Sequence, residues 1–394
     1  MSKLEKLIQQ YCPDGVEWKP LGEVCDSLYK GTLTTSKLVK SNGHNYPVIN
    51  SGRELYGYYS KYNNEGDALT IAARGEYAGF VSYFSERFWA GGLCYPYRAN
   101  TPTVSTKYLY YYLKSKQEYI RHCLVAEGGI PALNKSIIEM FEIPVPPLPV
   151  QEEIVRVLDA FTELQAELQA ELQKRKQQYN FYRDNLLTNF TTEQNVKEYT
   201  LGELGTFTRG NGLQKKDFTR EGIGCIHYGQ IYTRFGAFAD KTLTYVNREL
   251  ASHLLQVEKG NLVIACTSEN VEDICKSVAW LGEENICTGG HACVFRHNQN
   301  PKYISYFFQT EYFFNQKKKY TYGTKVKDIK PDSIAKIKIP LPSLKEQERI
   351  VSILDNLYTL TNDLTSGLPA EIEKRRQQYE FYRDKLLTFK RKEA

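Results

Sequence analysis

Two loops in this chain of 394 residues carry side chains suited to holding phosphates and touching base edges. One is Lys30-Gly-Thr-Leu-Thr34-Thr35-Ser36-Lys37; the other is Arg209-Gly-Asn211-Gly-Leu-Gln214-Lys215-Lys216. Both set cations beside hydroxyl or amide donors on a glycine-containing backbone. Phosphate oxygens accept from such groups, and base edges are read by Arg, Lys, Asn and Gln. Two further pairs of stretches and one single stretch have the same character. Ser51-Gly-Arg53-Glu-Leu-Tyr56-Gly57-Tyr58-Tyr59 and Tyr228-Gly-Gln230-Ile-Tyr232-Thr-Arg234 mix Arg or Gln with Tyr. Arg74 and Glu76, like Ser268 and Asn270, follow an apolar run expected to form a strand. Lys325 and Lys327 precede a proline cluster. Each loop alone has the composition of any solvated loop. Their recurrence at matched places in the two halves makes them candidates for contact with DNA.

Other chemistries find less support. Pro13-Asp14 with Glu17-Trp-Lys19 has the letters of a metal-dependent nuclease centre, but only two residues separate Asp14 from Glu17. That is too few to bring two strands around an ion. Cys266, Cys275, Cys287, His291 and Cys293 match no common zinc-ligand spacing, so no metal is expected. There is no Gly-x-x-x-x-Gly-Lys-Ser/Thr loop for ATP phosphates and no Asn/Asp/Ser-Pro-Pro-aromatic motif for a flipped base. No catalytic residue stands out.

Composition sets the frame. Lys and Arg number 51 against 46 Asp and Glu, a net charge of +5, so any basic surface must be local. The nine cysteines are scattered without a CxxC pair, which fits reduced thiols in a cytoplasmic protein. The N-terminus lacks an apolar signal-peptide core, and no run approaches a membrane span.

The chain is written twice. IPVPPLPVQEEIVRVLD (Ile143 to Asp159) returns as IPLPSLKEQERIVSILD (Ile339 to Asp355), at an offset of 196. QKRKQQYNFYRDNLLT (Gln173 to Thr188) returns as EKRRQQYEFYRDKLLT (Glu373 to Thr388), at an offset of 200. A fainter echo links Leu21-Gly-Glu with Leu201-Gly-Glu, and Lys107-Tyr108 with Lys302-Tyr303. The expected order is a globular domain (1–142), a helical region (143–189), a second globular domain (190–338) and a second helical region (339–394). The domains read as mixed α/β, from short apolar runs such as Ala68–Ala73 and Leu262–Cys266 and from short helices near 104–115 and 301–316.

Prolines 144, 146, 147 and 149, and 340 and 342 in the repeat, force extended backbone and then permit a first helical turn. Ser343 and Glu346 have capping-box spacing; Val150 occupies the acidic position in the first copy. Apolar residues then recur at helical spacing: Ile154, Leu158, Phe161, Leu164, Leu168 and Leu172, and Ile350, Leu354, Leu357 and Leu364. With Gln151 and Gln347 they are candidates for a helical seam or a partner contact. Each helix has room for about 40 residues, roughly 60 Å. Two such amphipathic helices pair most economically with each other. Because a compact domain brings its ends together, the pair is expected to be antiparallel, a coiled coil with a pseudo-two-fold repeat. Gly367 and Pro369 should break the second helix. Thr162-Glu-Leu-Gln, Ala166-Glu-Leu-Gln and Ala170-Glu-Leu-Gln form a tandem tetrapeptide, read as a spacer.

The Pro-Leu-Pro entry with Glu346-Gln-Glu-Arg-Ile-Val-Ser-Ile-Leu-Asp355, and the helix-ending Tyr-Arg-Asp-x-Leu-Leu, resemble the two conserved regions of type I restriction-modification specificity subunits. The globular pieces are placed like that family's two target-recognition domains. The resemblance implies a non-catalytic subunit that reads a bipartite DNA target. It further implies two methyltransferase (modification) subunits and motor-nuclease (restriction) subunits as partners. S-adenosylmethionine, ATP and Mg then belong to those partners and not to this chain. The alternatives are a self-contained DNA methyltransferase or nuclease, and a coiled-coil scaffold with two protein- or glycan-binding modules.

Overall fold

The computed structural model describes residues 3–32, 35–40, 43, 45–190, 196–362 and 366–393, the side chain of Thr35 excepted. They form two compact units. One comprises residues 1–167 and 373–394, the other residues 168–372. The borders fall inside the helices, so each unit is a globular domain together with the helical halves that pack on it.

The domains share a topology. In the first, one sheet runs Cys25–Ser27, Cys94–Ala99, Ala68–Ala72, Val81–Phe84, and a smaller one runs Gly57–Tyr59, Tyr46–Ile49, Trp89–Ala90. The second domain repeats both orders and adds an edge strand to each. Its larger sheet runs Gly205–Arg209, Ala292–His297, Leu262–Ala265, Ser277–Trp280, Phe238–Ala239. Its smaller sheet runs Thr244–Val246, Ile223–Ile226, Ile286–Thr288, Leu255–Val257. Among the described residues the one parallel strand pair in each small sheet is the matched one, Ile49 with Ala90 and Ile226 with Thr288. The central strands Ala68–Ala72 and Leu262–Ala265 are buried along their whole length, as their unbroken apolar runs require. The helix expected over 104–115 is Thr106–Ser115; the one over 301–316 is two helices, Pro301–Phe307 and Glu311–Lys317.

Each domain closes on itself. Glu17–Pro20 pairs with Glu142–Val145, and Lys197–Thr200 pairs with Lys338–Leu341, both antiparallel. The chain therefore enters and leaves each domain at one point, where its helix begins.

Helix α1 runs Leu148–Thr188, 41 residues. Its repeat is broken into α2 (Leu344–Asn362) and α3 (Leu368–Leu386), on either side of Gly367, as glycine and proline dictate. The Ser343 Oγ accepts from the Glu346 N–H (3.4 Å), the first half of the expected capping box. In the first unit Phe161 lies against Tyr379 and Tyr382, with centroids 6.3 and 5.6 Å apart. Earlier in α1, Ile154 and Leu158 share a core with Leu387. Rising numbers in α1 thus meet falling numbers in α3, an antiparallel pairing. In the second unit Tyr179 faces Tyr358 at 6.0 Å, and Leu187 shares a core with Ile350 and Leu354. Leu164, Leu168 and Leu172 are half-buried. Leu364 lies outside the described residues.

One feature of the second domain predicts a pH response. The His297 Nδ1 accepts from the Gln299 N–H (3.1 Å), while its Nε2 is sealed from solvent without a partner among the described residues. Burial pushes its pKa down to about 4. Folded His297 is neutral where the unfolded chain, with a pKa near ~6.5, begins to take up a proton. Its contribution is therefore full above about pH 6.5 and is lost as pH falls toward ~4. Unfolding of the second unit is expected to become easier by about 2 kcal/mol between pH 6.5 and 5. His297→Gln should flatten that slope in denaturant titrations at the two pH values; an unchanged slope would assign it to other groups.

Candidate nucleic-acid interface

Three separated loops come together at one edge of each large sheet, through the same bonds in both domains. In the first, Ala73 N–H donates to the Leu93 carbonyl (2.9 Å) and Leu133 N–H donates to the Ala73 carbonyl (2.8 Å). In the second, Cys266 N–H donates to the His291 carbonyl (2.8 Å) and Ile329 N–H donates to the Cys266 carbonyl (3.1 Å). Bridges between Arg74 and Ala132, and between Thr267 and Asp328, extend the match, and Ser268 pairs next with Lys327. Beside these bonds one glycine in each domain lets a further segment approach closely. A Cβ on Gly91 would stand 2.5 Å from the Asn50 Oδ1, and one on Gly289 would stand 2.5 Å from the Leu213 Cβ. Ala-Gly-Gly at 90–92 and Thr-Gly-Gly at 288–290 thus form a further repeated signal.

In the first domain Arg74 and Glu76 are exposed on this edge. Gly31 N–H donates to the Ala90 carbonyl (2.9 Å), which brings in Lys30, and the Lys30 ammonium lies 4.8 Å from the Tyr95 ring centre. Ser36 and Lys37 are exposed on a single turn, Thr35–Lys37; Thr34 lies outside the described residues. Arg53 is exposed in a bend that begins at Asn50, whose Oδ1 accepts from the Leu93 N–H (2.7 Å). Gly57 belongs to the strand Gly57–Tyr59, and Tyr59 packs edge-on to Trp89 at 5.2 Å. Tyr59 is therefore half-buried against a neighbouring ring.

The second domain separates the candidates further. Lys215, Lys216, Asn211, Arg234 and Lys325 are exposed. Five others bond to groups of their own domain. Arg209 is clamped by Asp328 through two bonds (3.0 and 2.7 Å), with Nε on the Gly290 carbonyl (3.2 Å). Asp328 is held below the usual carboxylate range by Arg209 and Tyr322, against the opposing effect of its burial. The Gln230 Oε1 accepts from the His227 N–H and its Nε2 donates to the Thr244 Oγ1, so it caps its own helix. Tyr232 OH donates to the Thr267 carbonyl (2.5 Å), Asn270 bonds twice with Asp273, and the Lys327 ammonium donates to the Gly323 carbonyl (2.7 Å). Gln214 lends its backbone N–H to Asp217. The five bonded side chains shape the surface, because polar groups of theirs are already engaged within the fold, whereas the Gln214 side chain is exposed.

Between the helix Tyr228–Thr233, the 267–270 turn and the 322–328 hairpin lies a cleft of about 420 Å³. His291, on its wall, shares a hydrogen bond with the Thr267 Oγ1 (3.1 Å) and stands 4.7 Å from the Tyr228 ring. Among the described residues no group of three or more His, Cys, Asp or Glu side chains is placed to hold a metal ion. None of the described helices is long and apolar enough to cross a membrane.

The candidates on the helices lie elsewhere. Gln151 and Gln347 are fully buried, and each fastens its domain to the helix that follows. The Gln151 Oε1 accepts from the Ser105 N–H (2.9 Å), and its Nε2 donates to the carbonyls of Thr103 and Pro146 (2.9 and 2.6 Å). The Gln347 Oε1 accepts from the Asn300 N–H (3.1 Å), and its Nε2 donates to the Pro342 carbonyl and the Gln299 Oε1 (both 3.0 Å). One turn or two further on, Asp159 accepts from Lys107 (2.7 Å) and Tyr111 (2.6 Å), and Asp355 accepts from Lys302 and Tyr306 (both 2.7 Å). Ile154, Leu158, Ile350 and Leu354 are buried beneath these bonds. They join helix to domain and leave no side chain for an outside partner. Leu357 is partly buried at the edge of the second core. The Lys-Tyr echo at 107 and 302 is the domain's half of this clasp.

Comparison with known proteins agrees with this architecture. The profile of the type I restriction modification DNA specificity domain matches residues 13–175 and again 193–374, once per half. The chain is 30% identical over 420 residues to the specificity subunit of the type I restriction enzyme EcoR124I/EcoR124II of Escherichia coli, covering all of this chain and 98% of that one. It is also 30% identical over 405 residues to a type I specificity subunit sequence of Haemophilus influenzae, S.HindORF215P, covering 98% of each. Among solved structures, the S subunit of a type I system from M. genitalium superposes with a TM-score of 0.60 at 18% identity, over 95% of this chain and 96% of that one. A chain from a study of complex assembly in the type I system gives 0.59 at 14%, over 95% and 98%. The chain belongs to the family of type I restriction-modification specificity subunits.

Proposed function

We propose that each domain reads one half of a split DNA target, and that the chain thereby directs partner subunits to methylate adenine or to restrict. One observation carries the reading: a single topology and a single helix clasp occur twice, while the surface loops differ between the copies. A scaffold repeated without change, bearing changed loops, suits two readers of two different half-sites. Direct readout needs different side chains for different bases, whereas the frame that presents them can stay the same. Two methyltransferase subunits and, for restriction, motor-nuclease subunits complete the proposed assembly. S-adenosylmethionine, ATP and Mg are assigned to them.

The test is methylome sequencing of cells that express this chain with and without its adenine methyltransferase subunit. A bipartite motif methylated on opposite strands, present only with both proteins, is the expected result. Methylation by this chain alone would place chemistry here and overturn the assignment. The phosphate contacts make a second prediction. Lys215→Gln with Lys216→Gln should weaken binding to all sequences alike and reduce the slope of log K against log salt by about 1–2, since each lost phosphate contact releases about one counterion fewer. An unchanged slope in titrations from low to moderate salt would remove both lysines from the contact surface.

A further inference from the structure

The hairpins at the two recognition edges have the same frame and different letters. Ala126 pairs with Ala132, and Tyr322 pairs with Asp328, at the offset of 196 that links the first helical blocks. Burial runs alike in both. Residues 126–130 and 322–326 are exposed, 131–132 and 327–328 are half-buried, and Leu133 and Ile329 are buried. Yet Glu127-Gly-Gly-Ile-Pro131 and Gly323-Thr-Lys-Val-Lys327 agree at no position. They agree in kind at one: Ile130 and Val326 are both β-branched aliphatics, 63% and 59% exposed. Isolated apolar side chains on a surface are ordinary and need no cause. Ile137 and Met140 are of that sort, since the repeat has Ser333 and Lys336 in their places. Ile130 is different, because its apolar character returns in a loop where every letter has changed.

Each hairpin is fixed at its base. In the first domain Gly75 N–H donates to the Pro131 carbonyl (2.9 Å) and Tyr95 OH donates to the Leu133 carbonyl (3.0 Å). In the second, Ser268 pairs with Lys327, and Asp328 accepts from Arg209 (2.7 Å) and from Tyr322 OH (2.9 Å). Val326 stands on the wall of the cleft that holds His291. An aliphatic group carries no donor or acceptor, so against a phosphate or a base nitrogen it would leave a polar atom unmatched. The apolar group that a base edge presents is the C5 methyl of thymine, and it lies in the major groove. That groove also admits a two-stranded β-ribbon, which is the form of these hairpins.

We infer that Ile130 and Val326 are equivalent specificity residues, each touching the C5 methyl of a thymine in the major groove of the half-site its domain reads. This rests on the functional reading above. Methylation of adenine in each half-site requires an A·T pair there, so each half-site contains a thymine.

The experiment uses the full chain with its methyltransferase subunit and duplexes that carry the bipartite motif found by methylome sequencing. Each thymine is replaced in turn by deoxyuridine, which deletes the methyl and keeps every hydrogen-bonding group. In each half-site one replacement should weaken binding by about fourfold, the worth of burying one methyl group. Ile130→Ala and Val326→Ala should each erase that effect in one half-site, a different one for each variant, and bind the uracil duplex within about twofold of the parent. The exchanges Ile130→Val and Val326→Ile should retain the preference for thymine. A parent complex indifferent to every replacement overturns the proposal, as does an alanine variant that still senses the methyl in both half-sites. Equal weakening on thymine and uracil duplexes would assign the two side chains to the fold or to a partner protein, and overturns it too. Should the parent complex yield no bipartite motif, the functional reading itself fails, a result obtained before any methyl is removed.

Discussion

Deletion of Ala166–Gln169 from α1 is expected to shorten the gap in the recognised DNA sequence by one or two base pairs and to leave both half-sites unaltered. The deleted unit is one of three tandem tetrapeptides, 162–165, 166–169 and 170–173. It spans the border between the two compact units, which falls at Glu167 and Leu168. Four residues of α-helix rise about 6 Å and turn about 400°, so everything beyond the deletion moves by ~6 Å and rotates by only ~40°. The half-buried Leu172 then takes the place of Leu168 while Glu171 takes that of Glu167, and the apolar stripe continues. A shift of ~6 Å is close to two base-pair rises of ~3.4 Å. Removing two residues instead turns the helix by about 200° and would bury glutamate where leucine belongs; that variant should lose folding cooperativity, not change specificity. Methylome sequencing of each variant with its methyltransferase subunit reads the gap directly. An unaltered gap after the four-residue deletion would show that the tetrapeptides do not set the spacing.

The helical half of this molecule was legible in the sequence because its signals are local. Proline entry, 3.6-residue periodicity and the Gly367 break all act within a few residues, and the expected pairing follows from chain geometry. The binding face was legible only in part. Electrostatic character places Lys215 and Lys216 in solvent, but composition cannot distinguish them from Arg209, because the partner of Arg209 is Asp328, 119 residues away. The same holds for Gln230 and Asn270, whose donors are satisfied by caps and turns that form only when the loop folds. The clasp glutamines were visible as repeated letters, but their spacing suggested a helical seam or a partner contact and not a bond to the domain. Gln151 and Gln347 sit on helices rich in exposed glutamine, and their complete burial depends on a loop more than forty residues earlier.

The largest effect on stability is expected from that clasp. Gln347→Leu retains the volume of the side chain but strips the partners it serves. Asn300 N–H, the Pro342 carbonyl and the Gln299 amide oxygen would lose their bond beside a side chain that is 0% exposed. Leaving buried donors and acceptors unmatched costs about 1–3 kcal/mol each, and some of that is recovered by leucine packing against Ile350; a net loss of about 2–4 kcal/mol is expected. Gln151→Leu should cost the first unit a similar amount, because Ser105 N–H and the Thr103 and Pro146 carbonyls stand in the same relation to it. Asp355 acts a helical turn or two beyond. Its ion pair with Lys302 is partly open to solvent, with Asp355 31% exposed, so screening reduces the charge term. The bond from Tyr306 is the stronger part. Burial and the adjacent Asp355 hold that phenol in its protonated, donating form. A double-mutant cycle of Tyr306→Phe and Asp355→Ala should therefore show a coupling of about 1–2 kcal/mol in urea titrations, and Tyr111→Phe with Asp159→Ala should match it. A coupling below about 0.5 kcal/mol in either copy would reduce the shared geometry to coincidence of packing. Matched values would show that each domain is held to its helix by one mechanism used twice. Half-site affinity would then depend on the loops of a domain, and the register between half-sites would depend on how firmly its glutamine and aspartate hold the helix.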